Sequence, residues 1–549
     1  MKKTILPETL PDDPAELKKL LQQKIDEYES KLSEKEREYA FLDEKYRLLK
    51  HALYGKKSEK NTARADDSDD QLFLFNEAET GVSLLEDEVL SGYEKEEKEV
   101  LKDEQKALFE HESRKKAKGQ RKAGGKITFP AHLPRKRVVH DLSEAEKAGR
   151  PLMREEYAEE LDIKVEMTVI RHVYPIYGEK KNAVEGEQPV ASALRPKRIL
   201  PGCQYSDNFI AYTLVRKFAD GIPFYRQEQI HKKRNNVSVH RSRMCYWGIK
   251  IGGKLEKLTE LMKQDIRGGP LIQMDETTVQ VLKEKGRDPH TKSYMWITVG
   301  QAKQYRKIIL FNYFQGRSGS IPPALLEDYV GYLQTDGYEG YNQIAAKPGI
   351  VHIGCWAHVR RRFEKAERLS KKGKSEKVAL SFIRQIYFAE EKYRAMLEEE
   401  KLTEDEFVRQ RKEAVLPILK KFKKWLDGKK LNIIPKSKLG EAVNYALGQW
   451  PTLTGYLDSP YATPDNNFCE NAIRPFVIGR KNWLFFDTPL GAYASATLYS
   501  LIETAKASGL DPFKYLVYVL GHFPLAKTED DFRKLLPYNL TSEDIDTIS

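Results

Sequence analysis

Residues 271–278 read LIQMDETT, a short and mostly apolar run that leads into two acids and two threonines. Such a run is typical of a strand that is buried on both faces of a sheet. A carboxylate at the end of that strand, Asp275, is costly to desolvate unless it is paired or holds a metal, although a turn-capping aspartate is the simpler interpretation. Because successive strand residues face opposite sides, Asp275 and Glu276 cannot both face one site.

Two further carboxylates occur in segments of similar character. Residues 330–338 (VGYLQTDGY) form another short apolar run that ends in an aspartate, Asp336, at a turn. Residues 464–486 (PDNNFCENAIRPFVIGRKNWLFF) contain Glu470 on a predicted helix. Oxygen ligands suit magnesium, and two ions about 3.5–4 Å apart can hold the attacking and leaving oxygens of a phosphoryl transfer. The pattern therefore indicates a metal site made of Asp275, Asp336 and Glu470.

Four segments, DET, LQTDGYEGYN, GCWAHVRRRF and DNNFCENAIRPFVIGRKNWLF, resemble the transposases of bacterial insertion sequences of the IS66 type. The resemblance covers nearly the whole chain. It implies a DDE transposase with Asp275, Asp336 and Glu470 as the metal-binding triad, and two Mg²⁺ ions, or Mn²⁺ in their place, in each active site. It also implies two small accessory transposition proteins as partners.

The predicted fold is a multidomain α/β protein. An RNase H-like catalytic domain, at 269–363 and 451–505, carries an all-helical insertion at 364–450 and is preceded by a coiled coil and a small helical DNA-binding region. Residues 506–549 are expected to form a C-terminal tail. The insertion is rich in Lys, Glu and Leu at helical spacing, and the sequence does not show its role.

Composition narrows the class of protein. The 549 residues carry 93 Lys and Arg against 82 Asp and Glu, a net charge of +11, which favours DNA as a partner. The four cysteines are scattered and indicate neither a disulfide framework nor a compact zinc site. The chain has no apolar run of membrane-spanning length and no signal-peptide pattern. We therefore expect a cytoplasmic, nucleoid-associated protein without a membrane partner.

Residues 14–55 are predicted to form a coiled coil. Apolar residues recur at alternating steps of four and three from Leu21 to Leu53, and only Lys35 interrupts them. A repeat kept for about five heptads favours a coiled coil over a helix that packs on its own protein. We expect a parallel homodimer, or a higher oligomer, that brings two transposon ends together.

Residues 56–137 are expected to be a linker that is first acidic and then basic. Its basic part runs from Arg114 to Arg137 without one acid. Such a run can neutralise DNA phosphates, or it can be a solvated tail that contacts the acidic part of the linker. We assign DNA contact to four of its residues: Lys115, Lys116, Arg121 and Lys122.

Residues 138–185 correspond to a zinc-ribbon-like module with two cysteine pairs in the family that the chain resembles. The alternating strand pattern of 161–178 (LDIKVEMTVIRHVYPIYG) is kept, but the cysteines are missing. We therefore expect a degenerate module without structural zinc. Cys355 and His358 form a C-x-x-H pair farther on, where a buried cysteine and a structural histidine are the simpler interpretation, since two ligands make a poor zinc site.

Residues 200–268 are predicted to be helical. A short helix, a turn and a basic helix are typical of a helix-turn-helix-like DNA-binding unit, in which Arg241 and Arg243 would face DNA. The same pattern also suits an ordinary helical hairpin that packs on the catalytic domain. The sequence does not choose between these two interpretations.

Two acids compete with Glu470 for the third position of the triad. Asp465 lies in a turn and is expected to cap a helix that begins near Asn467, whereas Glu503 is expected to be solvated. Glu470 would share a helix face with Arg474, which leaves a weak surface ion pair as the alternative role. The DNA backbone near the cut is assigned to Arg474, Arg480 and Lys481.

These observations together predict a DDE transposase. Metal-activated water would cleave the phosphodiester at a transposon end, and the freed 3′ hydroxyl would then attack target DNA at the same site. The alternative is a DNA-binding assembly protein derived from a transposase, in which the carboxylates are structural and the nuclease site is dead. Magnesium-dependent nicking of an end-containing duplex distinguishes the two.

Overall fold

The computed structural model describes residues 191–546, with gaps at 303–305 and 371–372, and residues 97, 99–108 and 167–177 before them. Between residues 15 and 46 it describes short helical runs and single helical residues. Four residues to which DNA contact was assigned lie outside the described residues: Lys115, Lys116, Arg121 and Lys122. Most of the module at 138–185 also lies outside them, but a two-residue antiparallel pair is described, with strands β1 (Ile176–Tyr177) and β2 (Ala191–Ser192).

Five strands form the central sheet: β3 Leu271–Gln280, β4 Lys292–Ala302, β5 Arg306–Phe314, β6 Gly331–Gln334 and β7 Ile350–Ile353. Their order across the sheet is β5-β4-β3-β6-β7. Strands β3, β4 and β5 are antiparallel neighbours, whereas β6 is parallel to both β3 and β7. The predicted mixed α/β architecture with a central sheet is confirmed.

Strand β3 is longer than the sequence predicted. Its parallel pairing with β6 stops at Gln273, but its antiparallel pairing with β4 continues to Gln280. We had expected Asp275 at the end of β3, but it lies inside the strand. It lies instead just past the last parallel rung, where one edge of β3 is no longer covered by β6.

From residue 207 onward the helices are α1 Asp207–Phe218, α2 Phe224–Asn235, α3 Arg241–Arg267, α4 Ile321–Leu326, α5 Asn342–Ala345, α6 Trp356–Leu369, α7 Lys374–Glu398, α8 Glu404–Leu431, α9 Lys438–Leu453, α10 Asn467–Trp483, α11 Pro489–Ala507, α12 Pro512–His522, α13 Glu529–Arg533 and α14 Ser542–Asp546. None of the described helices is long and apolar enough to cross a membrane. A capping box formed by Thr403 and Glu406 begins α8.

The helices before the sheet share its hydrophobic core. Helix α3 runs for 27 residues, and its buried face includes Trp247, Ile251 and Leu255. It packs closely on α11, because a Cβ added to Gly252 would lie 2.7 Å from the Cα of Ala494. This is the packing that the helical-hairpin alternative requires, and a DNA-facing role for the first turn of α3 stays a prediction.

The segment after residue 506 is part of the same core rather than a tail. Leu516 and Leu520 of α12 are fully buried, and Leu536 beyond α13 is fully buried as well. The Tyr515 hydroxyl donates a hydrogen bond to the Leu535 carbonyl at 3.1 Å, which ties α12 to the last turns of the chain. The amphipathic pattern of this segment reflects packing on α1 and α11.

The helical insertion has a hydrophobic core of its own. Helices α7, α8 and α9 pack with α6 around stacked aromatic rings, and the Phe382 and Phe422 centroids are 4.9 Å apart. Arg411 is fully buried between Glu390 and the carbonyls of Tyr456 and Ser459, so the insertion is anchored to the loop that follows α9.

Residues 99–108 form helix on the surface of this insertion, although the sequence predicted a linker there. Leu101 is fully buried, and the Val100 carbonyl accepts a hydrogen bond from Gln385 at 3.1 Å. Acidic residues of this segment pair with bases of the insertion, as Glu104 does with Arg384. The acidic composition thus reflects a docked, charge-matched helix rather than a solvated segment.

The described heptad residues at the N-terminus are helical and exposed. Leu21, Ile25 and Tyr28 have 55%, 45% and 59% of their surface accessible in the single chain. An apolar seam of this kind is what a partner helix covers in a coiled coil. The coiled coil and the homodimer stay predictions.

Candidate active site

One aspartate lies on β3, and a second follows two residues after the end of its parallel neighbour β6. Gln273 of β3 is in register with Gln334 of β6, and Asp275 and Asp336 each follow two residues later. Residues two apart face the same side of a strand, so Asp275 shares its face of β3 with Gln273. The Asp336 Oδ1 accepts a hydrogen bond from the backbone N–H of Tyr338 at 3.0 Å, which orients this carboxylate in the turn after β6.

The buried side-chain amides of Gln273 and Gln334 connect β3 and β6 to the helix that carries Glu470. The Gln273 Nε2 donates to the Gln334 Oε1 at 2.7 Å, and the Gln273 Oε1 accepts from the backbone N–H of Cys469 at 3.2 Å. The Asn466 side chain adds a bond of 3.1 Å to the Met274 carbonyl. These bonds fix the start of α10 against β3, so that Glu470 is held beside the aspartates.

Glu470 is buried, with 2% of its surface accessible. Its Oε2 contacts the guanidinium of Arg361, which comes from α6. The His358 Nδ1 is 3.7 Å from its other carboxylate oxygen. The alternative role, a weak ion pair on the surface, does not describe Glu470, because its carboxylate is buried and contacts α6.

The two competing acids have other roles in the structure. The Asp465 carboxylate accepts a hydrogen bond from the backbone N–H of Asn467 at 3.1 Å, but the N-cap residue of α10 is Asn466 and no side chain makes the cap hydrogen bond, so Asp465 stabilises the turn before the helix. We had expected Glu503 to be solvated, but it is buried. It is 5% exposed on α11 and pairs with Lys506 at 2.9 Å.

The three carboxylates of Asp275, Asp336 and Glu470, here called the acid cluster, act on one another electrostatically. Burial and the neighbouring groups Glu276, Asp336 and Glu470 raise the pKa of Asp275 well above its usual range. Carboxylates placed in this way repel one another when ionised, and a divalent cation between them would remove that repulsion. Carboxylate oxygens suit Mg²⁺ or Mn²⁺, but among the described residues the three ligand atoms that lie within 4.8 Å of one another belong to Cys355, His358 and Glu470 rather than to the acid cluster.

A second possible ligand set shares Glu470 with the acid cluster. Single ligand atoms of Cys355, His358 and Glu470 lie within 4.8 Å of one another, and sulfur with imidazole suits zinc better than magnesium. However, the Cys355 Sγ accepts a hydrogen bond from the backbone N–H of Asn466 at 3.3 Å, and the Arg361 guanidinium already contacts Glu470. This arrangement suits a buried cysteine and a structural histidine, and the absence of structural zinc stays a prediction.

The basic residues assigned to DNA differ in their surroundings. Arg480 donates to the Thr277 and Thr278 hydroxyls at 3.0 and 3.1 Å, so its guanidinium ties α10 to β3 inside the protein. Lys481 is exposed and Arg474 is half-buried on the same helix.

On α3, Arg241 and Arg243 are both exposed, and each guanidinium lies over a tyrosine ring, at 5.5 Å from Tyr225 and 5.9 Å from Tyr205. The structure does not bring these two arginines into contact with the acid cluster. Their role in DNA binding is untested.

A polar network beside the acid cluster was missed by the sequence reasoning. Glu276 is 5% exposed and takes hydrogen bonds from Arg317 at 2.5 Å and from the Tyr341 hydroxyl at 2.6 Å. Burial and Asp336 raise the pKa of Glu276 to about 7, while Arg317 lowers it. Strand alternation predicts that Glu276 and Asp275 face opposite sides of β3, and Asp336, which lies beyond the end of β6, raises the pKa of both. The repeated tyrosines of GYEGY were the sequence signal that something packs against that face.

Comparison with known proteins identifies the family. The model described as "Transposase IS66 family" matches residues 202–494, "IS66 C-terminal element" matches 500–538, and "Transposase C of IS166 homeodomain" matches 42–138. The first match covers more than half of the chain, which therefore belongs to the IS66 family of transposases. Membership supports a role in transposition and in DNA binding.

The curated relatives come from one bacterium. The chain is 29% identical over 519 residues to uncharacterized protein y4qI of Sinorhizobium fredii (strain NBRC 101917 / NGR234), a match that covers 91% of this chain and 88% of the relative. It is 28% identical over 451 residues to uncharacterized protein y4jD of the same strain, with 79% and 86% of the two chains covered.

Proposed function

We propose that the chain is a DDE transposase that cleaves transposon ends and joins them to target DNA by metal-dependent phosphoryl transfer. The observation that carries this proposal is the register of β3 and β6. Gln273 of β3 pairs with Gln334 of β6, Asp275 and Asp336 each come two residues later, and the Gln273 side chain binds the start of α10, all of which supports a site shared with Glu470. Family membership supplies the substrate class, which is DNA.

The sheet supports an RNase H-like assignment for the catalytic domain. Three antiparallel strands in chain order, β3, β4 and β5, occupy one side of the sheet. Two parallel strands, β6 and β7, continue from β3 on its other side. The first acid lies on the central strand and the second follows its parallel neighbour. The helical insertion lies between the second and third acids, so it adds to the domain without interrupting the acid cluster.

The acid cluster would hold two divalent ions. Asp275 and Asp336 would bind the ion shared with the scissile phosphate, and Glu470 would complete the shell of the other. When bound, Mg²⁺ or Mn²⁺ lowers the pKa of a water and stabilises the charge that grows on the phosphate. The side chains provide fixed oxygen ligands, and burial keeps competing water from Glu470. The 3′ hydroxyl freed by cleavage would then attack target DNA at the same site.

One observation favours the second candidate function, a catalytically dead assembly protein. Glu470 already contacts Arg361, and an ion pair is what a purely structural carboxylate would make. Active enzyme requires that this guanidinium give up Glu470, or share it, when metal binds. Arg361 would then be available to a phosphate oxygen, which it can bind through two parallel hydrogen bonds.

The experiment is magnesium-dependent nicking of a duplex that carries the transposon end. The full-length chain should nick one strand in Mg²⁺ or Mn²⁺ and should stop when the ions are chelated. Binding of the same duplex without metal shows that the protein is folded and competent. Tight, specific binding with no nicking in either metal would favour the assembly protein.

The assembly around this chemistry is also part of the proposal. A homodimer or higher oligomer, formed through the N-terminal heptads, would bring two transposon ends to two acid clusters. Two small accessory transposition proteins, implied by the family resemblance, would join it on DNA.

A further inference from the structure

Arg317 lies in the loop between β5 and α4, and the carboxylate of Glu276 holds its guanidinium. Its Nε donates to the Glu276 Oε1 at 2.5 Å, and its Nη2 contacts the same oxygen. The Glu276 side chain is 2% exposed and its second oxygen is held by the Tyr341 hydroxyl at 2.6 Å. The carboxylate therefore has little freedom to move, and it orients the guanidinium.

The ring of Tyr338 packs against the same guanidinium. The Arg317 Cζ is 3.5 Å from the centroid of the Tyr338 ring, and the Tyr338 hydroxyl donates to the Arg317 carbonyl at 2.5 Å. Gly340 leaves the space for that ring, since a Cβ there would overlap it. The backbone N–H of Tyr338 also binds the Asp336 carboxylate at 3.0 Å. One residue thus connects the orientation of Arg317 to the acid cluster.

Arg317 differs from the other arginines that border the acid cluster. Its side chain is 36% exposed, whereas that of Arg361 is 13% exposed. Arg480 is bound to β3 through Thr277 and Thr278. A guanidinium has five N–H donors, and Glu276 uses the Nε and one Nη of Arg317, so an outer edge stays available to an incoming anion.

We propose that Arg317 binds a DNA phosphate at the acid cluster, with Glu276 and Tyr338 as the residues that position it. The ligand class is a phosphodiester of the nucleic acid that the acid cluster cuts, so the inference rests on the proposed function. Three carboxylates would repel that phosphate, and a preorganised cation beside them offsets the repulsion. Arginine suits this task because its planar fork matches phosphate oxygens while one face stays stacked on an aromatic ring.

The experiment compares the full-length wild type with Arg317→Gln on a fluorescein-labelled duplex that carries the transposon end, in Ca²⁺ to prevent cleavage. Loss of one phosphate contact should lower the slope of log affinity against log salt by about 0.9. Affinity should fall about 10- to 150-fold, the range for a lost charge-assisted hydrogen bond. Lys514→Gln, which removes an exposed cation paired with Asp546 far from the sheet face, is the matched control and should leave the slope unchanged.

Neutral phosphates identify the contact directly. Methylphosphonates are placed one at a time around the scissile bond. At one position the substitution should weaken binding by the wild type, and on that modified duplex Arg317→Gln and the wild type should bind with equal affinity. Glu276→Gln and Tyr338→Leu should reduce the loss of affinity that this methylphosphonate causes. Tyr338→Phe, which keeps the ring, should preserve most of that loss. A merely structural role for Arg317 would not produce this position-specific loss.

The failure of this inference differs from the failure of the proposed function. If the wild type nicks DNA and Arg317→Gln has the same salt slope and the same methylphosphonate profile, the phosphate contact is wrong. If Arg317→Gln does not fold, Arg317→Lys keeps the charge without the fork and should show a partial loss at the same phosphate. A position-specific contact in a wild type that never nicks would support Arg317 and overturn the proposed function alone.

Discussion

Replacing Gln273 with leucine tests how the sheet holds Glu470. Gln273 is 5% exposed and Gln334 is fully buried, and their amides are 2.7 Å apart. The substitution leaves the Gln334 Oε1 without its donor and the Cys469 N–H without its acceptor. Each buried polar group left unpaired costs about 1–3 kcal/mol, so the free energy of unfolding should fall by about 2–6 kcal/mol.

The matched control is Gln280→Leu on the same strand. The Gln280 side chain is near the surface and donates to the Pro289 carbonyl at 2.9 Å, so this change should cost less than about 0.5 kcal/mol. Both variants are measured by urea unfolding and by amide hydrogen exchange over residues 464–483. Gln273→Leu should speed exchange at the start of α10 and slow nicking more than it lowers the folded fraction. Unchanged exchange there, with wild-type stability, would refute the role of this amide pair.

Three further predictions concern other parts of the chain. Removing residues 1–55 should lower the mass measured by light scattering, and an unchanged mass would contradict the coiled-coil homodimer. Replacing Lys115, Lys116, Arg121 and Lys122 with alanine should weaken DNA binding and flatten its salt dependence by up to about four phosphate-equivalents, whereas an unaltered slope would mean that this run does not touch DNA. Burial lowers the pKa of His352 from 6.5 to about 4, so folding is stabilised above pH 6.5 by a neutral ring, and that stabilisation is lost as pH falls towards 4. The free energy of unfolding of the wild type should therefore fall between pH 7 and pH 4, and melting experiments on His352→Gln should show a fall that is smaller by at most about 3 kcal/mol.

The strands could be predicted because their sequences carry the signal locally. Short apolar runs before Asp275 and Asp336 indicated buried strands, and the structure has strands there. The extent of β3 could not be predicted, because it depends on how far β4 continues the antiparallel ladder to Gln280. Where a strand stops is set by its neighbours in the sheet, and those are distant in sequence.

The surroundings of the acids were less predictable than the acids themselves. The contact between Arg361 and Glu470 spans 109 positions, and the one between Arg317 and Glu276 spans 41. Spacing along a helix or strand cannot indicate such pairs, and the ion pair that it offered for Glu470, as an alternative role, was with its helical neighbour Arg474. Glu503 was misjudged because its burial depends on how α11 packs in the folded chain.

Acidic composition also concealed a docked helix at residues 99–108. Acids usually indicate solvation, and the apolar face of this segment is carried by few residues, among them Leu101 and Leu108. Its partners are bases on the insertion more than 270 positions away, such as Arg384 for Glu104. Charge matching over that distance becomes visible only in the folded chain.

The central claim is that the acid cluster performs the chemistry, and metal-dependent nicking by Glu470→Gln tests it most directly. Glu470→Gln should bind the transposon end with wild-type affinity and fail to nick it in Mg²⁺, as should Asp275→Asn and Asp336→Asn. Asp465→Asn, which keeps an oxygen acceptor for the N–H of Asn467, should keep most of the activity. Normal nicking by Glu470→Gln, together with loss of nicking in Asp465→Asn, would contradict the triad proposed for this chain.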